Sequence, residues 1–300
     1  MDKNIRSVAT HFRDFHADDV FAVAILKMLF PKIKVYRVEY RDTQAQQKAD
    51  VRVDIGRKYD ARTLDFDHHQ PEGAGIRSNG ISYASCGLVW KHFGRDITKD
   101  ETIYEEIDKK IIQTLDAIDN GIEISEVKII RPYTISDYIF SLNPSWPDEN
   151  LKNFDARFEV AVEFAMHVLR TEIEKIRKRL LSEKELMKYI DLNKSKDYLI
   201  IYESLPWQEY VINKTKYKYV IKYDEITDVW NINAVPMMTG SFDTRHSFPM
   251  AWAGLSGKSL EEKSGINGAI FCHKGLFFAV AKTKEAAIEM VEKSIGRKNG

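Results

Sequence analysis

The chain has 300 residues, with 45 Lys+Arg balanced by 45 Asp+Glu, 44% hydrophobic and 30% charged residues. This composition excludes a disordered chain, and zero net charge argues against a protein that holds nucleic acid mainly by bulk positive field. The length exceeds one small core, so two domains are expected, with one large α/β domain as the alternative.

In the first 120 residues short β-like runs alternate with helical patterns, as in an α/β unit with a mostly parallel sheet. Ser7–Thr10 reads as a strand. Asp18 to Phe30 reads as a helix with Phe21, Ile25, Met28 and Leu29 on one side and Pro31 beyond its end. Lys34–Tyr40 and Val51–Ile55 are further strands, the second followed by Gly56, which permits a sharp turn. Ala84–Phe93 and Tyr104–Ile118 carry helical spacing.

From Phe154 to about Ile190 apolar residues recur at helical intervals with charge on the other face, predicting one long amphipathic helix or a broken pair. It reads as a connector over 151–193 and offers a surface for self-association as a homo-oligomer. Tyr198–Tyr202, Tyr217–Tyr223, Val229–Val235, Ala269–Cys272 and Leu276–Ala281 read as strands, and Thr283–Ile295 as a closing helix with Thr283 as N-cap. The expected division is thus 1–150, a connector, and a smaller α+β domain over 194–300.

Cys86 and Cys272 make neither a disulfide framework nor a zinc knuckle, so a reducing cytoplasm is the expected location. The first residues carry charges where a signal peptide needs an apolar core. No window approaches the roughly 20 apolar residues that span a bilayer, so membrane insertion is not expected.

Chemistry-bearing residues gather at the ends of the predicted elements. His11, Asp14, His16, Asp18 and Asp19 lie where a strand hands over to a helix, the place where open α/β sheets collect ligands. The bland alternative is a solvated turn with Asp18 or Asp19 as a cap. Asp54 ends an apolar strand. Asp67-His68-His69 puts two imidazoles beside carboxylates that can fix their tautomers. Asp116, Asp119 and Asn120 share one helix face at i, i+3 and i+4, with Gly121 able to cap that helix. Several carboxylates converging in one pocket would repel strongly unless cations neutralise them. Histidine with aspartate suits manganese, magnesium or zinc, and there are donors enough for two divalent ions, an arrangement suited to phosphoryl hydrolysis. Residues 1–150 carry a net charge of −4 and residues 151–300 of +4, which would suit an acidic metal-binding half beside a half that meets an anion.

These residues resemble the DHH phosphoesterase superfamily, which includes RecJ-like nucleases, oligoribonucleases and manganese pyrophosphatases. The nearer resemblance is to the melanocyte-proliferating-gene exonuclease family of metal-dependent hydrolases. It rests on Thr10-His11, Phe15-His16-Ala17-Asp18-Asp19, Val53-Asp54-Ile55-Gly56, Asp67-His68-His69-Gln70, Ser85-Cys86-Gly87-Leu88 and Asp116-Ala117-Ile118-Asp119-Asn120-Gly121. It continues in Ala251-Trp252-Ala253-Gly254-Leu255, Ser264-Gly265-Ile266, Phe271-Cys272-His273 and Lys282-Thr283-Lys284, so it covers nearly the whole chain. Two departures stand out. Phe12-Arg13-Asp14 replaces a small Asn-Gly-like pair, and Arg57 stands where a second glycine is common.

The resemblance implies an N-terminal DHH-like catalytic domain with His11, His16, Asp18, Asp54, His68 and Asp119 as ligands of two ions, manganese foremost. Asp54 would bridge them. Asp116 is the alternative to Asp119, which matches the superfamily's fourth motif better. His69 would face the scissile phosphate and Asp67 would orient the adjacent imidazole. Arg245, His273 and Lys282 of the second domain would meet the substrate backbone. The implied activity is two-metal, in-line hydrolysis of single-stranded RNA or short oligonucleotides, in the manner of a 3′–5′ exonuclease. A small-molecule phosphatase or pyrophosphatase, and a non-catalytic metal-stabilised binding protein, are the alternatives. Trp207, Tyr210, Trp230 and Trp252 are candidates for base stacking, but most are expected in the core.

Overall fold

The structure is a computed structural model that describes residues 4–126, 129–147, 150–193, 195 and 197–296. The chain forms two compact units, Met1–Ile176 and Arg177–Gly300.

In the first unit β1 (Ser7–His11), α1 (Ala17–Leu29), β2 (Lys34–Val38), α2 (Thr43–Gln47), β3 (Val51–Val53), β4 (Tyr59–Asp60) and β5 (Asp65–Phe66) follow one another. They build a sheet of order β2-β1-β3-β5-β4. The β1–β2, β1–β3 and β3–β5 pairs are parallel and β4 runs antiparallel to β5. Four adjacent parallel strands therefore end at the same edge. Next come α3 (Ser85–Thr98), α4 (Glu101–Ile107), a π-helical turn (Asp108–Ile112), α5 (Gln113–Asp119), α6 (Ile135–Ser141) and α7 (Leu151–Leu192).

The expected parallel α/β character is present, with instructive differences in the helices. The pattern over 18–30 suggests a one-sided helix, but every residue of α1 from Ala17 to Leu26 is buried, both aspartates included. A helix buried all round is a core element, and α1 packs along α3. The spacing over 104–118 suggests one helix, and the chain instead passes through the π turn between α4 and α5, a feature often found at functional sites. For the stretch from Phe154 to Ile190 the continuous alternative holds, since α7 is unbroken. Its Phe158, Ala161, Val162, Ala165 and Leu169 are buried in the first unit, where Phe158 packs edge-on to Phe15 with ring centroids 5.5 Å apart.

The second unit holds β6 (Tyr198–Ile201), α8 (Gln208–Lys214), β7 (Tyr219–Asp224), β8 (Val229–Ala234), a 3₁₀ turn (Met250–Trp252), α9 (Gly257–Ser264), β9 (Ala269–Cys272), β10 (Phe278–Ala281) and α10 (Lys284–Ser294). Its sheet has the order β6-β7-β8-β10-β9, parallel only between β6 and β7. The last strand starts two residues later than its apolar pattern suggests because Leu276, at φ 58°, lies in the turn that enters it. Thr283 caps α10 by accepting the Ala286 N–H at 3.2 Å, as expected. Trp207 and Trp252 are buried in the two cores of this unit, and Tyr210 and Trp230 pack against them. No helix among the described residues is long and apolar enough to cross a membrane.

Candidate metal centre

The carboxyl ends of β1, β3 and β5 carry His11, Asp54 and Asp67-His68-His69. The start of α1 adds Asp18 and Asp19, and the end of α5 adds Asp119. The sheet order brings these residues together, at the edge where α/β sheets bind ligands.

Asp54 is the hub. Its Oδ2 lies 3.3 Å from His11 Nε2, and its Oδ1 lies 3.3 Å from His69 Nδ1 and 3.6 Å from His68 Nε2. Ser85 Oγ donates to the same Oδ1 at 3.2 Å. Asp54 has φ 54°, a left-handed conformation that a non-glycine residue adopts only when its surroundings hold it there. The Asp54 N–H, bonded to Phe66 O at 3.1 Å, helps to do so. Burial alone would raise the pKa of this carboxyl, but the hydrogen bonds from His11 and His69 hold it well below the usual range.

On one side of Asp54 stand His11, His16 and Asp19, whose donor atoms lie within 4.8 Å of one another. Asp19 works twice. Its Oδ1 accepts the His16 N–H at 2.8 Å, and its Oδ2 is buried without a hydrogen bond, 3.5 Å from His11 Nε2. Burial lowers the His11 pKa, but the carboxylates of Asp19 and Asp54 outweigh it and bring the pKa up to about 9. On the other side Asp18, His68 and Asp119 form a second such group. His68 Nε2 is 3.1 Å from Asp119 Oδ2, yet it is also buried without a hydrogen bond. Asp18 accepts the Ser85 N–H at 3.0 Å and the Cys86 N–H at 2.6 Å at the positive end of α3. Its pKa is nonetheless raised, by burial first and then by Asp119, Asp54 and Asp116.

Two orphaned donor atoms, buried and directed into carboxylate–imidazole groups, are what a divalent cation would satisfy. The oxygen and nitrogen donors fit a hard or borderline ion. A third group, Asp54, His68 and His69, overlaps the second.

Asp67 and His69 have a different arrangement. Asp67 is fully buried, and its Oδ1 accepts both the backbone N–H of His69 (3.0 Å) and its ring Nδ1 (2.9 Å). Its Oδ2 accepts the Arg57 N–H at 2.6 Å. The His69 pKa rises to about 10, chiefly through the Asp54 hydrogen bond and then that of Asp67. Nδ1 is thus engaged, and His69 lines the cleft in front of the cluster.

Asp116 lies apart from the three groups. It is buried, it pairs with Arg77 and it accepts the Gly87 N–H at 3.0 Å. A Cβ at Gly87 would stand 2.0 Å from Asp116 Oδ2, so glycine is required there. Arg77 also donates to both oxygens of Asp108 in the π turn, at 3.0 and 3.1 Å. This is a structural brace under the cluster.

Arg245, His273 and Lys282 belong to the second unit. The Arg245 guanidinium donates to the carbonyls of Tyr217 (2.8 Å) and Ile212 (2.6 Å), fixing backbone of its own unit. His273 Nδ1 accepts the Gly275 N–H at 2.9 Å, and the Lys282 N–H bonds to Gly268 O at 2.8 Å.

The resemblance implies no ligand role for Asp19, and Ser85 enters it only through the Ser85-Cys86-Gly87-Leu88 motif. The signal for Asp19 is its place three residues after His16, where it both closes the first turn of α1 and keeps one oxygen free. Nothing in the sequence brings in α6, whose Ser136, Asp137 and Phe140 line the cleft of about 880 Å³ in front of the cluster.

Residues 7–295 match the model of the family described as MYG1_exonuc, an uncharacterised protein family (UPF0160). The MYG1 protein YER156C of Saccharomyces cerevisiae is 30% identical over 329 residues, covering 98% of this chain and 96% of the yeast protein. The MYG1 protein of Dictyostelium discoideum is also 30% identical, covering 97% of each chain. The MYG1 exonuclease of Homo sapiens is 27% identical, covering 97% of this chain and 86% of the human one.

Proposed function

The chain belongs to the MYG1_exonuc family, and from that premise we propose that it is a divalent-metal-dependent phosphodiesterase acting as an exonuclease on single-stranded RNA or short oligonucleotides. The observation that carries the metal reading is the pair of buried, unbonded donor atoms, Asp19 Oδ2 and His68 Nε2, on either side of Asp54. The exonuclease reading is supported by the name of the human relative.

His11, His16 and Asp19 would hold one ion, and Asp18, His68 and Asp119 the other. Asp54, with Oδ2 toward His11 and Oδ1 toward His68, suits a bridge. Bound ions there supply Lewis-acid stabilisation of phosphoryl oxygens and ease ionisation of water near neutral pH. His69 lines the cleft, where its Nε2 can hydrogen-bond a phosphoryl oxygen while Asp67 fixes the ring. Arg13, the one Lys or Arg lining the cleft among the described residues, adds a positive charge for the phosphate chain.

The test is hydrolysis by chelator-stripped protein restored with manganese, magnesium or zinc, on single-stranded RNA oligonucleotides, pyrophosphate and a nucleoside monophosphate. Metal-restored cleavage of the oligonucleotides from one end is the expected result. Preference for pyrophosphate or the monophosphate would replace the exonuclease reading with a small-molecule phosphatase. No hydrolysis with any ion would leave a metal-stabilised binding protein.

A further inference from the structure

The cleft in front of the acidic cluster also has an aromatic lining on its other side, beside the carboxylates of Glu39 and Asp137. Phe140 of α6 lines it and is 54% exposed, although a phenylalanine ring gains from burial. Its ring is parallel to that of His16, at 5° between planes and 6.0 Å between centroids. Phe12 and the partly exposed Tyr40 line the same cleft. An exposed flat aromatic face beside a metal-ligand candidate is a seat for a planar, weakly polar ring.

Its position is fixed rather than incidental. Asn143, two residues beyond α6, accepts the Phe15 N–H through Oδ1 at 2.9 Å. Its Nδ2 donates to Phe15 O at 2.8 Å and to Phe140 O at 3.1 Å. One amide thus ties the end of α6 to the residue next to His16, so the two rings are set against each other before any ligand arrives. Such pre-organisation lowers the entropy lost on binding.

We propose that Phe140 is the base-stacking residue of this cleft, seating the nucleobase of the terminal nucleotide whose phosphate lies at the acidic cluster. The proposal rests on the phosphodiesterase reading for the phosphate but not for the base. The occupant is a nucleotide rather than an apolar peptide because the same cleft joins the aromatic face to donors suited to a metal–phosphate group and to the cation of Arg13.

Two measurements on the full chain test it. The first is binding of 2-aminopurine riboside, a neutral fluorescent nucleoside, to chelator-stripped protein. Saturable quenching is expected, weakened about tenfold or more in Phe140→Ala and restored in Phe140→Trp. The second compares metal-dependent hydrolysis of a short oligonucleotide with that of the same oligonucleotide made abasic at its terminal position. The wild type should prefer the base-bearing substrate by about tenfold or more in kcat/KM, and Phe140→Ala should bring that ratio close to one.

Riboside quenching that is absent, or equal in wild type and Phe140→Ala, overturns the proposal. So does hydrolysis that ignores the terminal base. Quenching that follows Phe140 in a protein that hydrolyses nothing supports the base seat and overturns the phosphodiesterase reading instead. The ring's exposure leaves the core untouched in both variants, and the tryptophan variant separates loss of stacking from loss of fold.

Discussion

Asp67 Oδ1 accepts the backbone N–H and the ring nitrogen of the same residue, His69. This fixes both the loop after β5 and the direction of the imidazole with one buried atom. The other oxygen, on the Arg57 N–H, anchors the facing loop after β3. Asp67→Ala would leave two part-buried N–H groups without these acceptors. A loss of about 1–3 kcal/mol is expected in chemical denaturation, together with a fall in hydrolysis of about 10- to 100-fold or more. Asp67→Asn keeps the volume and should recover much of the stability but not the rate.

The brace beneath the cluster gives a different signature. Arg77 is nearly buried between Asp108 and Asp116, and breaking a buried pair typically costs about 3–5 kcal/mol. Arg77→Ala should show that loss in denaturant, with each folded chain still binding as many metal ions as the wild type. Gly87→Ala, which drives a methyl into the Asp116 carboxylate, should cost at least about 3 kcal/mol. A large loss of metal stoichiometry in folded Asp116→Asn would mean that Asp116 is a ligand after all.

Carboxylates gathered for a cation destabilise the protein that lacks one. The Asp18 carboxyl is raised by burial and then by Asp119, Asp54 and Asp116. Its contribution to stability is therefore complete below the unfolded value and is lost as pH rises through the folded one. Repulsion among these carboxylates strains the metal-free chain wherever they are ionised. Asp119→Asn removes one negative charge, so metal-free protein at pH 7 should melt about 2–4 °C higher, while the rise in melting temperature on adding metal should shrink. Calorimetry with and without chelator reads both effects.

The Cys272 thiol responds to burial alone. Cys272 is fully buried, and burial pushes its pKa from 9.0 up to about 11. The protonated thiol therefore favours the native state below pH 9, and that contribution is lost as pH rises from 9 through about 11. Native protein at pH 8 should react with a thiol reagent far more slowly than unfolded protein does. Cys272→Ala should flatten the alkaline part of the stability profile.

Elements long enough to show a period were legible in the sequence, and those defined by neighbours were not. β1, α1 and α10 match their patterns to within a residue or two, because each carries enough apolar positions to establish a face. β4 and β5 have only two residues each and exist because β3 offers β5 an edge and β5 in turn offers one to β4. The π turn within 104–118 is a matter of hydrogen-bond register, which side-chain spacing does not report. In the cluster, His11, Asp54 and His68 stood out because histidine and aspartate at strand ends are conspicuous. Asp19 did not, since one of its oxygens does the ordinary work of a helix start. Phe140 was invisible because its nearness to His16 depends on Asn143 reaching Phe15, 128 positions away in the chain. The two arginines at presumed glycine positions, Arg13 and Arg57, have φ 72° and 50°, so the backbone keeps a glycine-like conformation there while the side chains differ.

His68 Nε2 is buried and unbonded between Asp119 and Asp54, where a metal ligand would stand. The decisive measurement is metal content and hydrolysis of a single-stranded oligonucleotide, taken on the same samples of wild type and His68→Ala. Two ions per wild-type chain with metal-dependent cleavage, and fewer ions with cleavage reduced at least about 100-fold in a folded variant, is the predicted result. Equal metal content and equal cleavage in the two proteins would contradict it.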